Sequence, residues 1–431
     1  MKFSNYTSSI TLDDRRSLLF NAFTYSFVVI NDAHFDIRNT TPEKIHKDSH
    51  QLYKHLTEAG IIIDDSVNEL LLLQQMIKDT DDNASDYIIH INPTLDCNFN
   101  CWYCYENHIP QSRMDAYTLS ATKSFISKTL NNKQIKTLEL GFFGGEPIMY
   151  FRKIAQEIIS HANDICVKNG QNLNVHFTSN GSLISDEQIE FLSEYSCGFQ
   201  ITLDGNPNSH NATRFYKNGL GSYEIIIKNI LKLINADINV IVRVNYTCDN
   251  INGLTAILDS FIDIPDRLKE FIRFDFQQVW QDKVKNDTDE KIRMIRNLFS
   301  SHGFTVLTNY LPQHVRNSCY GDKTNHVLIN YQGDLFGCTA RDFTKENRIG
   351  YLDNQGNAHY NKEKMHIRSI AKLGKEICKK CRIAPLCAGG CRQKASEALD
   401  YEGCTMGYSK DDIDNKILDI FEYEFMSEVQ S

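Results

Sequence analysis

No run of about 18 apolar residues occurs in this 431-residue chain, so the sequence offers no segment to cross a bilayer as a helix. The first residues, Met1 to Thr7, lack the apolar core of a secretory signal peptide. No low-complexity tract and no domain-sized repeat is present. Positive charge is not in excess. The chain has 46 Lys and Arg against 55 Asp and Glu, a net charge of −9, which argues against a broad nucleic-acid footprint. These absences make a cytoplasmic protein with no membrane and no nucleic-acid partner the expectation. Thirteen cysteines without a secretion signal then point to metal ligation in a reducing compartment, not to disulfides. The length is enough for two or three domains with a sizeable core.

Three of those cysteines, Cys97, Cys101 and Cys104, lie in the run Asp96-Cys97-Asn98-Phe99-Asn100-Cys101-Trp102-Tyr103-Cys104. The loop follows a strand-like segment, Tyr87–Ile91. Three thiolates on one short loop can hold three corners of an iron–sulfur cube. No fourth cysteine lies nearby, so one iron would stay open. Thiolates suit iron because they are soft, anionic and electron-donating. The alternative is a zinc knuckle or a set of buried free thiols, but zinc favours four closed ligands, usually from paired C-x2-C units.

The rest of the first two-thirds reads as a barrel. Strand-like runs fall at Tyr87–Ile91, Thr137–Phe143, Leu173–Thr178, Gly198–Leu203, Ile238–Asn245 and Phe271–Val279, with helical patterns between them. Phe151–Lys168 stops at Gly170, a C′ glycine. Ser185 to Gln188 reads as a capping box. Tyr223–Asn235 carries apolar residues at helical spacing. Strands alternating with helices imply parallel strands and right-handed crossovers, with functional residues at the C-terminal strand ends.

The C-x3-C-x2-C loop, with Tyr103 before its last cysteine, resembles that of the radical S-adenosylmethionine (radical SAM) enzymes. That resemblance implies a partial (β/α)6 TIM-like barrel, an α/β fold, in which the open iron chelates S-adenosylmethionine (SAM). The second strand ends in Gly144-Gly145-Glu146-Pro147, similar to the family's glycine-rich motif for the SAM amino group. Its plain alternative is a tight β-to-α turn with Pro147 at a helix start. The third strand ends Thr178-Ser179-Asn180-Gly181 and the fourth Thr202-Leu203-Asp204-Gly205, with Arg214 beyond. The resemblance makes Tyr103, Gly144, Gly145, Glu146, Ser179, Asn180, Thr202, Asp204 and Arg214 the candidate cofactor contacts. Asn-Gly and Asp-Gly are also ordinary turns.

A second cysteine set resembles the SPASM extension of that family. It consists of Cys319, Cys338 with Gly333 between them, then Cys378, Cys381, Cys387, Cys391 and Cys404. The resemblance implies two auxiliary clusters, one held by Cys378, Cys381, Cys387 and Cys404, the other by Cys319, Cys338 and Cys391. That makes three [4Fe–4S] clusters in all. No cysteine lies between 319 and 338, so the fourth ligand of the second auxiliary cluster would be Asp322, His326, water or substrate. Cys166, Cys197 and Cys248 read as small buried hydrophobes.

These features divide the chain into a module at 1–85, a barrel at 86–310, a cluster domain at 311–410 and a C-terminal helix at 411–431. The first module reads as small α/β, winged-helix-like, with a strand at Phe27–Ile30 and helices at His50–Glu58 and Val67–Lys78. It either grips a leader peptide by strand addition or only caps the barrel. The resemblance implies an enzyme that abstracts hydrogen from a ribosomally made precursor peptide with a 5′-deoxyadenosyl radical and closes a crosslink. A flavodoxin- or ferredoxin-type reductant and an ATP-grasp ligase are the expected partners. An anaerobic sulfatase-maturating enzyme is the competing reading. Such enzymes place an aspartate base after the second SPASM cysteine, where this chain has Thr339, leaving Asp342 as the candidate catalytic residue. A non-catalytic iron–sulfur or leader-binding scaffold is the reading from another class, and the retained cysteines and glycines argue against it.

Overall fold

Six parallel strands carry the larger of two compact units. They are β1 (Asp86–Ile91), β2 (Thr137–Phe142), β3 (Asn172–Ser179), β4 (Ser196–Leu203), β5 (Asn239–Tyr246) and β6 (Ile272–Gln278). The computed structural model describes residues 1–32, 35–282, 288–307 and 315–428. The strands are hydrogen-bonded in chain order, each parallel to the next. Two further strands extend the sheet: β7 (Thr305–Leu307) beside β6 and β8 (His326–Ile329) beside β1, both parallel. Three antiparallel strands, β9 (Asp334–Phe336), β10 (Gly350–Leu352) and β11 (Ala358–Tyr360), follow from β8. The edges are β7 and β11, so the sheet stays open, as a partial barrel does.

The register explains the packing. Ile91, Phe142, Phe177, Phe199, Val240 and Ile272 are successive cross-strand partners, and all are essentially fully buried. Phe142, Phe177 and Phe199 stack in line, with centroids 4.9 Å and 5.1 Å apart. Each such aromatic pair is worth about 0.5–1.5 kcal/mol beyond the area it buries. Side chains alternate faces along a strand, so a second row faces the other way. It reads His90, Gly141, His176, Gly198. Gly141 is needed there, because an added Cβ would meet His90 Cδ2 at 2.6 Å.

Crossover helices cover the apolar face. Ala116–Leu130 is capped by Asp115, and Asp186–Ser193 opens with the Ser185–Gln188 capping box. The helix after β2 begins with a 3-10 turn (Pro147–Tyr150) and a π turn (Phe151–Ala155) before Gln156–Asn169. It closes at Gly170 with φ 68°. Helix Tyr223–Asn235 buries Ile226, Ile230, Leu233 and Ile234.

This unit spans 84–308 and 325–361; the other comprises 1–83, 309–324 and 362–431. The second unit therefore joins the N-terminal module to the later cysteines, where the sequence suggested separate stretches. The expected boundary at 310–311 and the last three residues of the chain lie outside the described residues. A three-stranded antiparallel sheet, Thr7–Thr11, Ser17–Asn21 and Ser26–Ile30, has the middle strand fully buried. Tyr6, Leu18, Phe20 and Leu73 from the module share one core with Cys378, Leu386, Cys387 and Ile417. Helix Lys410–Glu428 contributes Ile413, Ile417 and Ile420 to that core. Among the described residues no helix is long and apolar enough to cross a membrane.

Candidate functional site

The cysteine loop begins five residues after β1, and it is fixed by hydrogen bonds before any ligand is considered. Asp96 Oδ1 accepts from Cys97 N (2.9 Å) and Lys217 Nζ (3.0 Å), and Oδ2 accepts from Gln111 N (2.8 Å). Asp96 O accepts from Glu146 N at 2.9 Å, which ties the loop to the turn after β2. Asn98 Oδ1 accepts from Asn180 Nδ2 (2.8 Å) and Asn98 Nδ2 donates to Ser182 Oγ (2.9 Å), which ties it to the loop after β3. Three strand ends thus form one floor under the cysteines.

Gly144 and Gly145 adopt φ +93° and +52°, and a Cβ on either would collide with Asn92 or with Asp96 O. Only glycine serves there, since left-handed backbone costs other residues about 1–2 kcal/mol. Glu146 is fully buried. Its Oε1 accepts from Ile148 N (3.0 Å) and Ser179 Oγ (2.9 Å), and its Oε2 from Asn180 N (2.7 Å). The carboxylate therefore locks the second turn to the third. Burial raises its pKa.

On the fourth and fifth strands a polar knot forms around Tyr103. Its hydroxyl donates to Asp204 Oδ2 (2.5 Å) and accepts from Arg214 Nη1 (2.8 Å) and Asn245 Nδ2 (3.2 Å). Burial pushes Asp204 up to about 6, against the pull of Arg214 and the Tyr103 hydrogen bond. Thr202, at the end of β4, is also buried.

Burial pushes the Cys97 thiol up to about 12 and Cys104 up to about 11, and raises Cys101. Cys101 lies near enough to both others for its charge to raise them further. A cation at the loop would reverse this and favour thiolates. Cys97 Sγ also accepts from Phe99 N (3.4 Å), the kind of bond that tunes a cluster. Among the described residues, no three His, Cys, Asp or Glu side chains gather at a single-ion position.

Residues that the sequence did not single out complete this floor. Asn92, Asn98 and Asn245 make the bonds given above or line the glycine turn. Glu106, two residues past Cys104, donates nothing and accepts Gly145 N on Oε2 at 2.8 Å. Burial pushes Glu106 up to about 7, with Glu146 and Asp342 adding repulsion. Its signal in the sequence was a lone carboxylate in an aromatic cysteine loop. Asp342 is exposed, and the next residue, Phe343, packs on Phe143 beside Gly144 (6.1 Å).

Chemical fit to an iron–sulfur cluster and SAM rests on the donor set and on orphaned atoms. Three thiols share the loop. Glu106 Oε1, Asp204 Oδ1, Arg214 Nε and Asn92 Oδ1 are buried at the same strand ends without a hydrogen-bond partner. Buried polar atoms ordinarily find one, so these suit a polar ligand.

In the other unit, burial raises the thiols of Cys378, Cys381 and Cys387, and the charge of Cys404 lies near enough to raise each of the three further. The turn Ala388-Gly389-Gly390 has positive φ throughout, and a Cβ on Gly389 would sit 3.2 Å from Cys378 Sγ. Cys319 and Cys391 belong to this unit, whereas Cys338 belongs to the barrel unit. Neither side-chain candidate for a fourth ligand is free. Asp322 is buried, ion-paired to Lys372 (3.0 Å) and bonded by Arg392 N (2.6 Å). His326 Nε2 faces His90 Nδ1 across β8 and β1 at 3.1 Å.

The radical SAM superfamily model matches residues 91–263. A cysteine-type anaerobic sulfatase-maturating enzyme of Clostridium perfringens (strain 13) is 24% identical over 69% of this chain and 86% of its own length. The solved structure of native anSMEcpe with bound AdoMet has a TM-score of 0.58 at 18% identity and covers 80% of this chain and 98% of that one. Streptococcus suis SuiB bound to the precursor peptide SuiA has a TM-score of 0.52 at 15% identity, over 91% and 96%.

Proposed function

Because residues 91–263 are a radical SAM domain, in an enzyme homologous to anaerobic sulfatase-maturating enzymes, we propose that the chain modifies a ribosomally made peptide and closes a crosslink in it. One observation carries this reading: the cysteine loop is stitched by Asp96 and Asn98 to the glycine turn after β2 and to the Ser179–Asn180 loop. A [4Fe–4S] cluster with bound SAM would supply, on receiving one electron from a reductant, a 5′-deoxyadenosyl radical able to abstract hydrogen.

Cys97, Cys101 and Cys104 hold that cluster in this proposal. Gly144 and Gly145 let the backbone approach the methionine part of SAM, and Ser179 and Asn180 border it. Tyr103, Thr202, Asp204 and Arg214 line the adenosyl side. Cys378, Cys381, Cys387 and Cys404 hold one auxiliary cluster and are supported by their mutual proximity. A third cluster on Cys319, Cys338 and Cys391 rests on the SPASM resemblance alone. The edge strand Ser26–Ile30 of the N-terminal module offers a leader peptide a backbone to pair with. A flavodoxin- or ferredoxin-type reductant and an ATP-grasp ligase complete the pathway.

Formylglycine formation is the second reading, favoured by the sulfatase-maturating relative and by the proximity of Asp342 to Glu106. Mass spectrometry of a co-expressed precursor separates them. A crosslink removes two hydrogens and joins two residues, so the fragment series breaks off between them. Formylglycine formation removes two hydrogens at one residue, from Cys with sulfur also exchanged for oxygen, and leaves an aldehyde that a hydrazide captures. Anaerobically reconstituted protein is expected to hold about twelve irons, three cubes of four. Replacing Cys97, Cys101 and Cys104 by Ala should remove one cube and end 5′-deoxyadenosine production. Persistent 5′-deoxyadenosine in that variant would overturn the assignment.

A further inference from the structure

We propose that Glu106, rather than Glu146, is the carboxylate that receives the α-ammonium group of SAM. The proposal deepens the reading above and rests on it. The family-type motif places a carboxylate at Glu146, but here that group is fully buried and both its oxygens are taken. Three donors, Ile148 N, Ser179 Oγ and Asn180 N, hold it at 2.7–3.0 Å. Its work is to fix the second and third strand ends to each other.

Glu106 stands differently. Oε2 accepts Gly145 N, which aims the carboxylate across the glycine pair. Oε1 is buried and has no partner. It lies 3.1 Å from the place a Gly144 Cβ would occupy, so the oxygen looks onto a surface kept bare by glycine. An unpaired carboxylate oxygen in such a place is costly, and a cationic donor relieves the cost. A primary ammonium seated on the bare surface of Gly144 would lie within reach of Oε1. All these atoms belong to one compact unit. The class of ligand is an amino-acid ammonium, and the cluster loop two residues away fixes it as that of SAM.

The test compares binding of SAM and of its analogue lacking the α-amino group to anaerobically reconstituted full-length protein. Glu106→Gln keeps an acceptor for Gly145 N and removes the charge. Its affinity for SAM should fall about ten- to hundredfold, the range for a charged hydrogen bond, while the desamino analogue binds as before. Glu146→Gln should affect both ligands alike, through the Ser179–Asn180 loop. Unchanged SAM affinity in Glu106→Gln, equal loss of both ligands, or a SAM-selective loss in Glu146→Gln would overturn the proposal. Failure of the unaltered protein to bind either ligand would instead overturn the radical SAM reading. If Glu106→Gln loses iron, a SAM-bound structure of the unaltered protein decides. The SAM nitrogen at about 2.7–3.2 Å from Glu106 Oε1 supports the assignment, and any other carboxylate there defeats it.

Discussion

Gly144 and His90 make the residue-scale case, because each is set by one neighbour. Gly144 has φ +93° and faces Asn92 directly. Gly144→Ala meets both a left-handed penalty of about 1–2 kcal/mol and a clash that must displace the Asn92 side chain. We expect that variant to lose SAM binding before it loses its secondary structure, and paired SAM titration and far-UV circular dichroism check the order. His90 is held neutral. Burial pushes its pKa down from 6.5 to about 3, with His176 adding to the shift. Its ring packs against those of His326 and Phe143, with centroids 5.2 Å and 6.0 Å away. The unfolded chain therefore binds a proton that the folded chain refuses between pH 6.5 and about 3. Stability is present above 6.5 and falls with pH by roughly 1 kcal/mol per unit from this group. Denaturant midpoints at pH 7.5 and 5 should separate more widely in the natural protein than in His90→Asn. Parallel falls would place the acid sensitivity elsewhere.

Among elements, the six central strands were legible because each carries a run of apolar or β-branched residues, and the second, third and fourth also end in glycine turns at Gly144–Gly145, Gly181 and Gly205. The cysteine loop was legible from spacing alone. The shorter strands were not. Thr7–Thr11 is serine- and threonine-rich, Ser17–Asn21 has only three consecutive apolar residues and no alternation, and His326–Ile329 hid between two motif cysteines, where His326 drew attention as a ligand. That ring instead meets His90, because β8 pairs with β1. The placement of Glu106 was illegible for another reason: its hydrogen-bond partner, Gly145, lies on a different strand end, and no local pattern announces the meeting. The aromatic row that holds the strand ends in register is an element-scale property. Phe177 touches Phe142, Phe151 and Phe199. Phe177→Ala should cost about 3–5 kcal/mol. Chemical denaturation measures this, and a loss below 1 kcal/mol would mean that the row does not set the core.

For the whole molecule, the two ends of the sequence are one folding unit. Tyr6, Leu18 and Phe20 pack with Cys378, Leu386, Cys387 and Ile417, and Phe27 meets Phe421 at 5.6 Å. Asp81, 1% exposed, ion-pairs with Lys372 and Arg392, both at 2.9 Å. Removing one partner of a buried pair leaves an uncompensated charge, at about 3–5 kcal/mol. Deleting residues 1–83 would therefore strip the later cysteines of Tyr6, Ile10, Leu18, Phe20, Ala22 and Leu73 from their core and leave Lys372 and Arg392 without Asp81. The same deletion cannot serve as a clean test of leader binding. We expect the truncated chain to lose protease protection over residues 362–431, while the barrel strands between 86 and 278 stay protected. Limited proteolysis read by mass spectrometry distinguishes the two segments. Continued protection of 362–431 would show that the cysteine segment folds without the N-terminal module. A leader-binding role is then better probed at Val29, which is 37% exposed on the edge strand Ser26–Ile30 and makes no part of the shared core. Val29→Pro blocks strand addition while sparing that core. Weaker precursor binding with unchanged protection of 362–431 is the expected result, and undiminished binding would assign the module to packing alone.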